Sequence, residues 1–354
     1  MNILHIVNPG ISGINGVINA VMELANSQVK FDCNVAIGLI AKNSCIKGDN
    51  MVEIPTIKKV MSLLNIFNPD IVVFHSLYNI KYITISTLLR IKKVPYVIVF
   101  HGGASINNYQ NNKLKKFIAN LLLFNGFIRR ANQVIYLNHG ELNNSIFTKI
   151  NKSYSIIPNG ITPVLPRKKV MPGIVNISFI SRMEIHGKGL DILKESIESL
   201  LKSGWQNKIK FKFYGFSYNE SHKIFDKFDP FAQYNGVVYG ADKSKAFNDA
   251  NIIILPSRSE GMPLTILEAF AYGCPCIVTP QTNMADIIVN NNVGWVTELN
   301  KESLTACIKQ AYYDYIDDYQ GYYERSKTLA EQFSWNNIAQ HSIAVYKKIL
   351  SIAD

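Results

Sequence analysis

Two glutamates, Glu260 and Glu268, stand with seven residues between them in Leu255-Pro256-Ser257-Arg258-Ser259-Glu260-Gly261-Met262-Pro263-Leu264-Thr265-Ile266-Leu267-Glu268-Ala269. The preceding Ile252–Leu255 run reads as a buried strand, and Pro263 suits the first turn of a helix. Glu260 is therefore expected at the mouth of a strand, with Glu268 about 7 Å further along the helix axis at 1.5 Å per residue. Exposed N–H groups near Gly261, Met262, Pro263 and Leu264 would lie between the carboxylates. That combination is an anion site flanked by two groups able to hold hydroxyls. The alternative is two surface carboxylates, each paired with a nearby cation.

A second basic segment follows another strand: Ser181-Arg182-Met183-Glu184-Ile185-His186-Gly187-Lys188-Gly189-Leu190-Asp191. Arg182 and Lys188 beside a helix N-terminus suit a diphosphate, Arg as a bidentate clamp and Lys as a point charge. Their other reading is as surface cations, with Asp191 helping the helix to start. Near the beginning, Gly10, Gly13 and Gly16 connect the first strand to the first helix. Such a turn lets backbone N–H groups approach a phosphate. Its G-x-x-G-x-x-G spacing departs from the dinucleotide fingerprint, and no acidic residue ends the second strand, which argues against NAD. His75 and His101 each end a strand; His75 reads as structural.

The elements that must position these groups alternate strand and helix throughout, the pattern of parallel sheets with crossover helices. Expected strands in the first half are 2–7, 33–39, 70–75, 96–101, 133–137 and 155–157, with helices at 16–26, 80–92, 114–130 and 141–150. A cluster of breakers (Pro158-Asn159-Gly160, Pro163, Pro166, Arg167-Lys168-Lys169, Pro172-Gly173) reads as a linker. Strands then restart at 176–181, 210–214, 237–239, 252–255 and 276–279, and 301–352 reads as helix. This predicts two doubly wound domains, 1–165 and 166–333, with the site in a cleft between them.

A length of 354 residues also favours two cores over one. Five scattered cysteines, including Cys274 and Cys276 around Pro275, fit neither a redox pair nor a usual zinc spacing and point to a reducing cytoplasm. No leader peptide and no membrane-spanning run is expected. The net charge is +11, and it is uneven: residues 1–165 carry 16 basic against 6 acidic side chains, residues 166–354 carry 21 against 20. The basic half implies either an anionic partner or a solvated face. No nucleic-acid recognition motif accompanies it, so a nucleic-acid partner is not expected.

The run P-S-x-x-E-G-x-x-x-x-x-x-E-A resembles the E-x7-E signature of glycosyltransferase family 4, retaining enzymes of the GT-B fold. Arg182 and Lys188 resemble that family's Arg/Lys pair, Ile157-Pro158-Asn159-Gly160-Ile161 its I-P-N-G segment, and Phe333-Ser334-Trp335 the start of its terminal helix. The resemblance implies an α/β GT-B architecture of two facing Rossmann-like domains, with residues 334–354 crossing back to the first. It implies a nucleotide-sugar donor, UDP- or GDP-linked, and a glycan or lipid-linked saccharide acceptor. Glu260 would contact the donor sugar and Glu268 the ribose, while Arg182 and Lys188 neutralise the diphosphate. Gly16 would approach the distal phosphate and His101 the reacting sugar. No metal or other cofactor is implied, and no DxD motif occurs. Assembly of a bacterial surface polysaccharide such as O-antigen or capsule is the role this implies. Met262-Pro263 in place of the family's F-G, and Tyr214-Gly215-Phe216-Ser217 in place of its G-x-G, leave sugar and base open.

Lys113 to Arg130 is basic at both ends and apolar between. Either it rests on an anionic membrane face or it is a core helix with charged ends; the breadth of the apolar stripe favours the core. Two rivals to transfer share this pattern: a sugar-nucleotide epimerase and a non-catalytic nucleotide-sugar-binding protein.

Overall fold

The structure, a computed structural model, describes residues 1–9, 16–42, 46, 48, 50–104, 113–164, 170–171 and 173–353, and of 113–115 and 352–353 the backbone alone. Gly10 to Asn15 of the glycine turn, Cys45, Pro166 to Lys169 and Pro172 lie outside the described residues. The chain divides into two units, Met1–Gly160 with Trp335–Asp354, and Ile161–Ser334.

The first unit runs β1 (Asn2–Val7), α1 (Gly16–Val29), β2 (Asn34–Leu39), β3 (Met51–Glu53), α2 (Ile57–Phe67), β4 (Ile71–His75), α3 (Ile80–Ile91) and β5 (Tyr96–Val99). It continues with α4 (Lys113–Ala119), a π-helical turn (Asn120–Phe124), α5 (Asn125–Arg130), β6 (Gln133–Tyr136), α6 (His139–Asn143) and β7 (Tyr154–Ile156). Its sheet is parallel, in the order β3-β2-β1-β4-β5-β6-β7. The central strands are buried on both faces and read as apolar runs, interrupted only by His5 within β1 and His75 at the end of β4. Leu4, Ile6, Val72 and Phe74 pack on one face against α2, α3 and α5.

The second unit runs β8 (Val175–Ile180), α7 (Leu190–Lys202), β9 (Ile209–Tyr214), β10 (Ala232–Tyr234), α8 (Gly240–Asp249), β11 (Ile252–Leu255) and α9 (Leu264–Ala271). Then follow β12 (Cys276–Val278), α10 (Ala285–Asn290), β13 (Gly294–Val296) and the long α11 (Lys301–Gln332). Its sheet, again parallel, has the order β10-β9-β8-β11-β12-β13. The strand expected at 237–239 lies instead at Ala232–Tyr234, beside β9.

The last helix, α12 (Trp335–Ala353), packs with α1 on the first sheet's other face. A side chain at Gly160 would strike the Trp335 indole, with its Cβ 2.4 Å from the ring. Glycine in Pro158-Asn159-Gly160 is thus what lets this helix seat. The tail expected as one helix breaks at Phe333-Ser334.

The segment between Lys113 and Arg130 is part core and part surface. Phe124, Phe127 and Ile128 are buried, whereas Phe117, Leu121 and Leu122 are 54%, 63% and 71% exposed. The π turn explains the split, because an extra residue per turn rotates the apolar stripe partly off the core. Beside it, a cavity of about 380 Å³ is lined by Leu121, Leu122, Leu123, Arg90, Arg129 and Arg130.

Candidate functional site

In each sheet the strand order reverses beside the first strand of its unit: between β1 and β4, and between β8 and β11. Crevices beyond the carboxyl ends of strands at such points are where open α/β sheets bind ligands. Among the described residues, Gly16 and His101 belong to the first unit and Arg182, Lys188, Glu260 and Glu268 to the second, on segments that follow strands or open helices there.

In the second unit, Arg182 and Lys188 follow β8, and Glu260 follows β11. The loops are locked together by Gly189, whose φ is 68° and whose added Cβ would lie 2.0 Å from the Pro256 carbonyl oxygen. Arg258 donates its backbone N–H to the Gly187 carbonyl at 2.8 Å. Its guanidinium grips both Asp191 oxygens, at 2.7 Å each. Burial pushes the Asp191 carboxyl up, but the hydrogen bonds and charge of Arg258 outweigh that and hold it below its usual range. Arg258 and Asp191 thus frame the site rather than line it, and Asp191 does more than start a helix.

Within this frame Lys188 Nζ donates to Glu260 Oε1 at 2.5 Å, and Ser257 Oγ donates to the same oxygen at 2.8 Å. The pair is largely shielded, the two side chains being 12% and 16% exposed. Lys188 thus directs one of its three donors at Glu260, leaving two for another anion. The Glu260 backbone is held at both ends, its N–H to the Gln281 carbonyl at 3.0 Å and its carbonyl by Asn283 Nδ2 at 2.7 Å. Arg182 is exposed at the end of β8 and makes no ion pair among the described residues.

Pro263 stands one residue before the helix rather than within its first turn, and α9 begins at Leu264 with no side-chain cap. Ile266 N–H turns back to the Pro263 carbonyl at 3.0 Å, so the Leu264 and Thr265 N–H groups, which no side chain caps, mark the positive end of the α9 dipole, next in sequence to Gly261 and the buried Met262. Glu268 accepts from Lys243 Nζ at 2.6 Å through Oε1, while its Oε2 is buried without a partner among the described residues. Both glutamates do pair with cations, as their surface reading required. Yet both are mostly buried, and one keeps an unsatisfied acceptor. Lys243 and Ser257 were not singled out by the sequence; Ser257 lay inside the motif, but Lys243 sits 25 positions from Glu268 on α8.

In the first unit, Gly16 opens α1, is exposed, and has open space where a Cβ would be. His101 does not continue its strand, as expected from the apolar run, but turns out of it with φ 51°, followed by Gly102 at φ 80°. A non-glycine residue in that region is uncommon and persists where surroundings fix it. Glu141 supplies part of the hold: its carboxylate accepts the Gly102 N–H at 2.5 Å and the Leu137 N–H at 2.7 Å. Burial raises the Glu141 carboxyl to about 7, against the pull of those two hydrogen bonds.

The ring of His101 is held by His75, which is no passive strand end. His75 Nδ1 lies 2.9 Å from His101 Nε2, and His75 Nε2 lies 2.8 Å from His5 Nδ1. His5 Nε2 in turn meets Gln28 Oε1 at 2.8 Å. Burial lowers His5 and His101 to about 4, and burial together with the two neighbouring imidazoles holds His75 well below its ordinary value, so all three are neutral near pH 7. Among the described residues no group of three or more His, Cys, Asp or Glu side chains is arranged to hold a metal ion.

Residues 175–314 match the family model described as glycosyl transferases group 1. An uncharacterized glycosyltransferase of Methanocaldococcus jannaschii is 30% identical over 113 residues, which are 32% of this chain and 29% of that protein. The chain spans about a third of the length of the first curated relatives it matches. Among solved structures, sucrose-phosphate synthase from Thermosynechococcus elongatus is similar with a TM-score of 0.79 at 14% identity, covering 99% of each chain. HepE of Anabaena, solved in complex with UDP-glucose, is similar with a TM-score of 0.72 at 16% identity, covering 98% of this chain and 100% of that one. The fold is the GT-B fold of two Rossmann-like parallel-sheet domains.

Proposed function

We propose that this chain is a retaining glycosyltransferase that moves a sugar from a nucleotide-sugar donor to a hydroxyl of a glycan or lipid-linked saccharide. The observation that carries this reading is Glu268: one oxygen satisfied by Lys243, the other buried and without a partner among the described residues, on a helix that starts with no side-chain cap. A buried unsatisfied acceptor calls for a donor from a ligand, and a ribose hydroxyl one helical turn from an anion site is such a donor. Glu260 then holds the sugar hydroxyls. Arg182, the two remaining Lys188 donors and the start of α9 stabilise the negative charge that develops on the departing diphosphate. Gly16 approaches the distal phosphate, and His101 faces the reacting sugar. In this reading cationic side chains and the helix dipole take the part a metal plays elsewhere, so a chelator leaves turnover unchanged. UDP-glucose in the HepE complex favours a uridine donor.

The acceptor side is read from the exposed Phe117, Leu121 and Leu122 beside Lys116, Arg129 and Arg130. An apolar ledge rimmed by cations suits the anionic inner face of a cytoplasmic membrane, where a lipid-linked saccharide for a surface polysaccharide would be presented. No helix among the described residues is long and apolar enough to cross a membrane.

The deciding experiment is a thermal-shift screen against UDP- and GDP-sugars, followed by product analysis with and without a saccharide acceptor. A ligand at a hundred times its Kd stabilises by about 2.7 kcal/mol. Stabilisation with an acceptor-dependent product of retained anomeric configuration is expected. Turnover of the donor sugar without acceptor would establish the epimerase, and binding without turnover a non-catalytic protein.

A further inference from the structure

Beneath the first sheet's switch point lies a chain of polar groups that the proposed transfer chemistry does not itself require. Ser342 of α12, Gln28 of α1, His5 of β1, His75 of β4 and His101 are joined end to end by hydrogen bonds of 2.8 to 2.9 Å. The first four are wholly buried. Around His75 and His101 a cavity of about 20 Å³, room for roughly one water, is walled largely by apolar side chains such as Val21, Leu24 and Leu137.

A neutral imidazole has one N–H and one bare nitrogen, so a file of imidazoles must point one way or the other. The direction is set at its inner end. Ser342 Oγ donates to the Ala339 carbonyl at 2.7 Å, which leaves it able only to accept from Gln28 Nε2 at 2.9 Å. Gln28 Oε1 then faces His5 and can only accept, so His5 carries its proton on Nε2. His5 Nδ1 is bare and accepts from His75 Nε2; His75 Nδ1 is bare and accepts from His101 Nε2.

We propose that Ser342, Gln28, His5 and His75 are positioning residues that fix His101 as its Nε2–H tautomer and present bare Nδ1 to a hydroxyl of the bound sugar. The proposal rests on the reading that places His101 at the reacting sugar. The low basicity that burial gives His101 makes it an orienting acceptor rather than a proton acceptor. A substrate lacking that hydroxyl leaves the nitrogen facing nothing, which is how a built polar site rejects a deoxy analogue.

The test is nitrogen NMR of the full chain with 15N-labelled histidine near pH 7, paired with transfer kinetics. In the wild-type protein His5, His75 and His101 are each expected to carry the proton on Nε2 and none on Nδ1. A proton on His101 Nδ1 reverses the file and overturns the proposal, whatever the enzyme turns over. In His75→Leu the His101 ring is expected to populate both tautomers and kcat to fall about tenfold, the scale of one lost hydrogen bond, with KM for the donor little changed. His75→Gln, whose amide donates at one end and accepts at the other, is expected to restore kcat to within about threefold. Should His75→Leu not fold, the wild-type spectrum and His75→Gln still decide. If the wild-type spectrum is as expected yet His75→Leu transfers at the wild-type rate, the link from relay to substrate is overturned. Absence of transfer in the wild type would instead remove the glycosyltransferase reading.

Discussion

At the switch point of the second sheet the polar side chains are charged and paired: Lys188 with Glu260, Lys243 with Glu268, Arg258 with Asp191. At the switch point of the first sheet they are an amide, neutral by nature, and imidazoles kept neutral by burial. The topology is the same; the treatment of charge is opposite. Partial exposure explains one side, since solvent and paired partners make the ions tolerable. The other follows from depth: a cation behind β1 would have no counterion, so the imidazoles give up the proton and become dipoles. The difference teaches a division of labour. On the proposed reading, fixed charge serves to hold a diphosphate and oriented neutral dipoles serve to align a hydroxyl.

The comparison can be broken most forcefully by acid. Each buried histidine has a folded pKa below its unfolded value of 6.5, so below that pH the unfolded chain binds more protons. Stability is then fully present above pH 6.5 and is lost as pH falls toward 4. For His5 alone this amounts to roughly 3 kcal/mol. Glu141 works the other way: with a folded pKa of about 7 against 4.5 unfolded, its contribution is present below pH 4.5 and lost as pH rises through 7. Three histidines outweigh one carboxyl, so urea midpoints should fall between pH 6.5 and 4.5. A flat or rising profile would contradict neutral dipoles in the first unit.

The charged side of the comparison is tested by Glu260→Ala, Lys188→Ala and Arg182→Ala. Each is expected to cut kcat/KM at least about tenfold, or about 1.4 kcal/mol of barrier. Because the Lys188–Glu260 pair is shielded, its two single variants should also lower the melting temperature, whereas Arg182→Ala should not. Wild-type turnover in all three would refute the site. Glu268→Ala should act more weakly, raising the donor Kd about threefold to tenfold with kcat nearly unchanged, as removal of ground-state binding does. Calorimetry with the donor reads this directly, and a fall in kcat alone would move Glu268 from handle to participant. The smallest effect concerns neither site. Leu122→Asp should weaken pull-down by anionic vesicles at low salt while leaving transfer to a soluble acceptor unchanged; equal binding to neutral vesicles, or none, would remove the membrane reading.

Much of the second site was legible in the sequence because each part is local. Glu260 to Glu268 is one strand-loop-helix passage, and Arg182 to Lys188 another; a regular spacing and a family resemblance expose both. The relay of the first site was invisible for the opposite reason. Its members stand 23, 26, 70 and 314 positions apart, and only the pairing of β1 with β4 and the return of α12 bring them together. His75 alone looks like a strand end. The same limit explains the misplaced tenth strand. Val237 to Tyr239 has the stronger β propensity, but Ala232–Tyr234 takes the edge by its register with Phe211–Phe213, a tertiary choice that local preference does not record. The three-residue β3 and β13 are too short to show any period.

The return of α12 to the first sheet also dictates an order of events during synthesis. Residues 1–160 leave the ribosome first, but the face carrying His5, Gln28 and His75 stays bare until residues 335–353 follow. The whole of 161–334 is made in between, so at 5–20 residues per second the gap is about ten to forty seconds. The second unit, continuous in sequence, can finish folding in that interval, while the first waits with apolar surface and an unanchored polar file open to water. Of the two units, the one whose synthesis starts earlier is therefore the later to mature, because its closing helix follows the whole of the other unit in the chain.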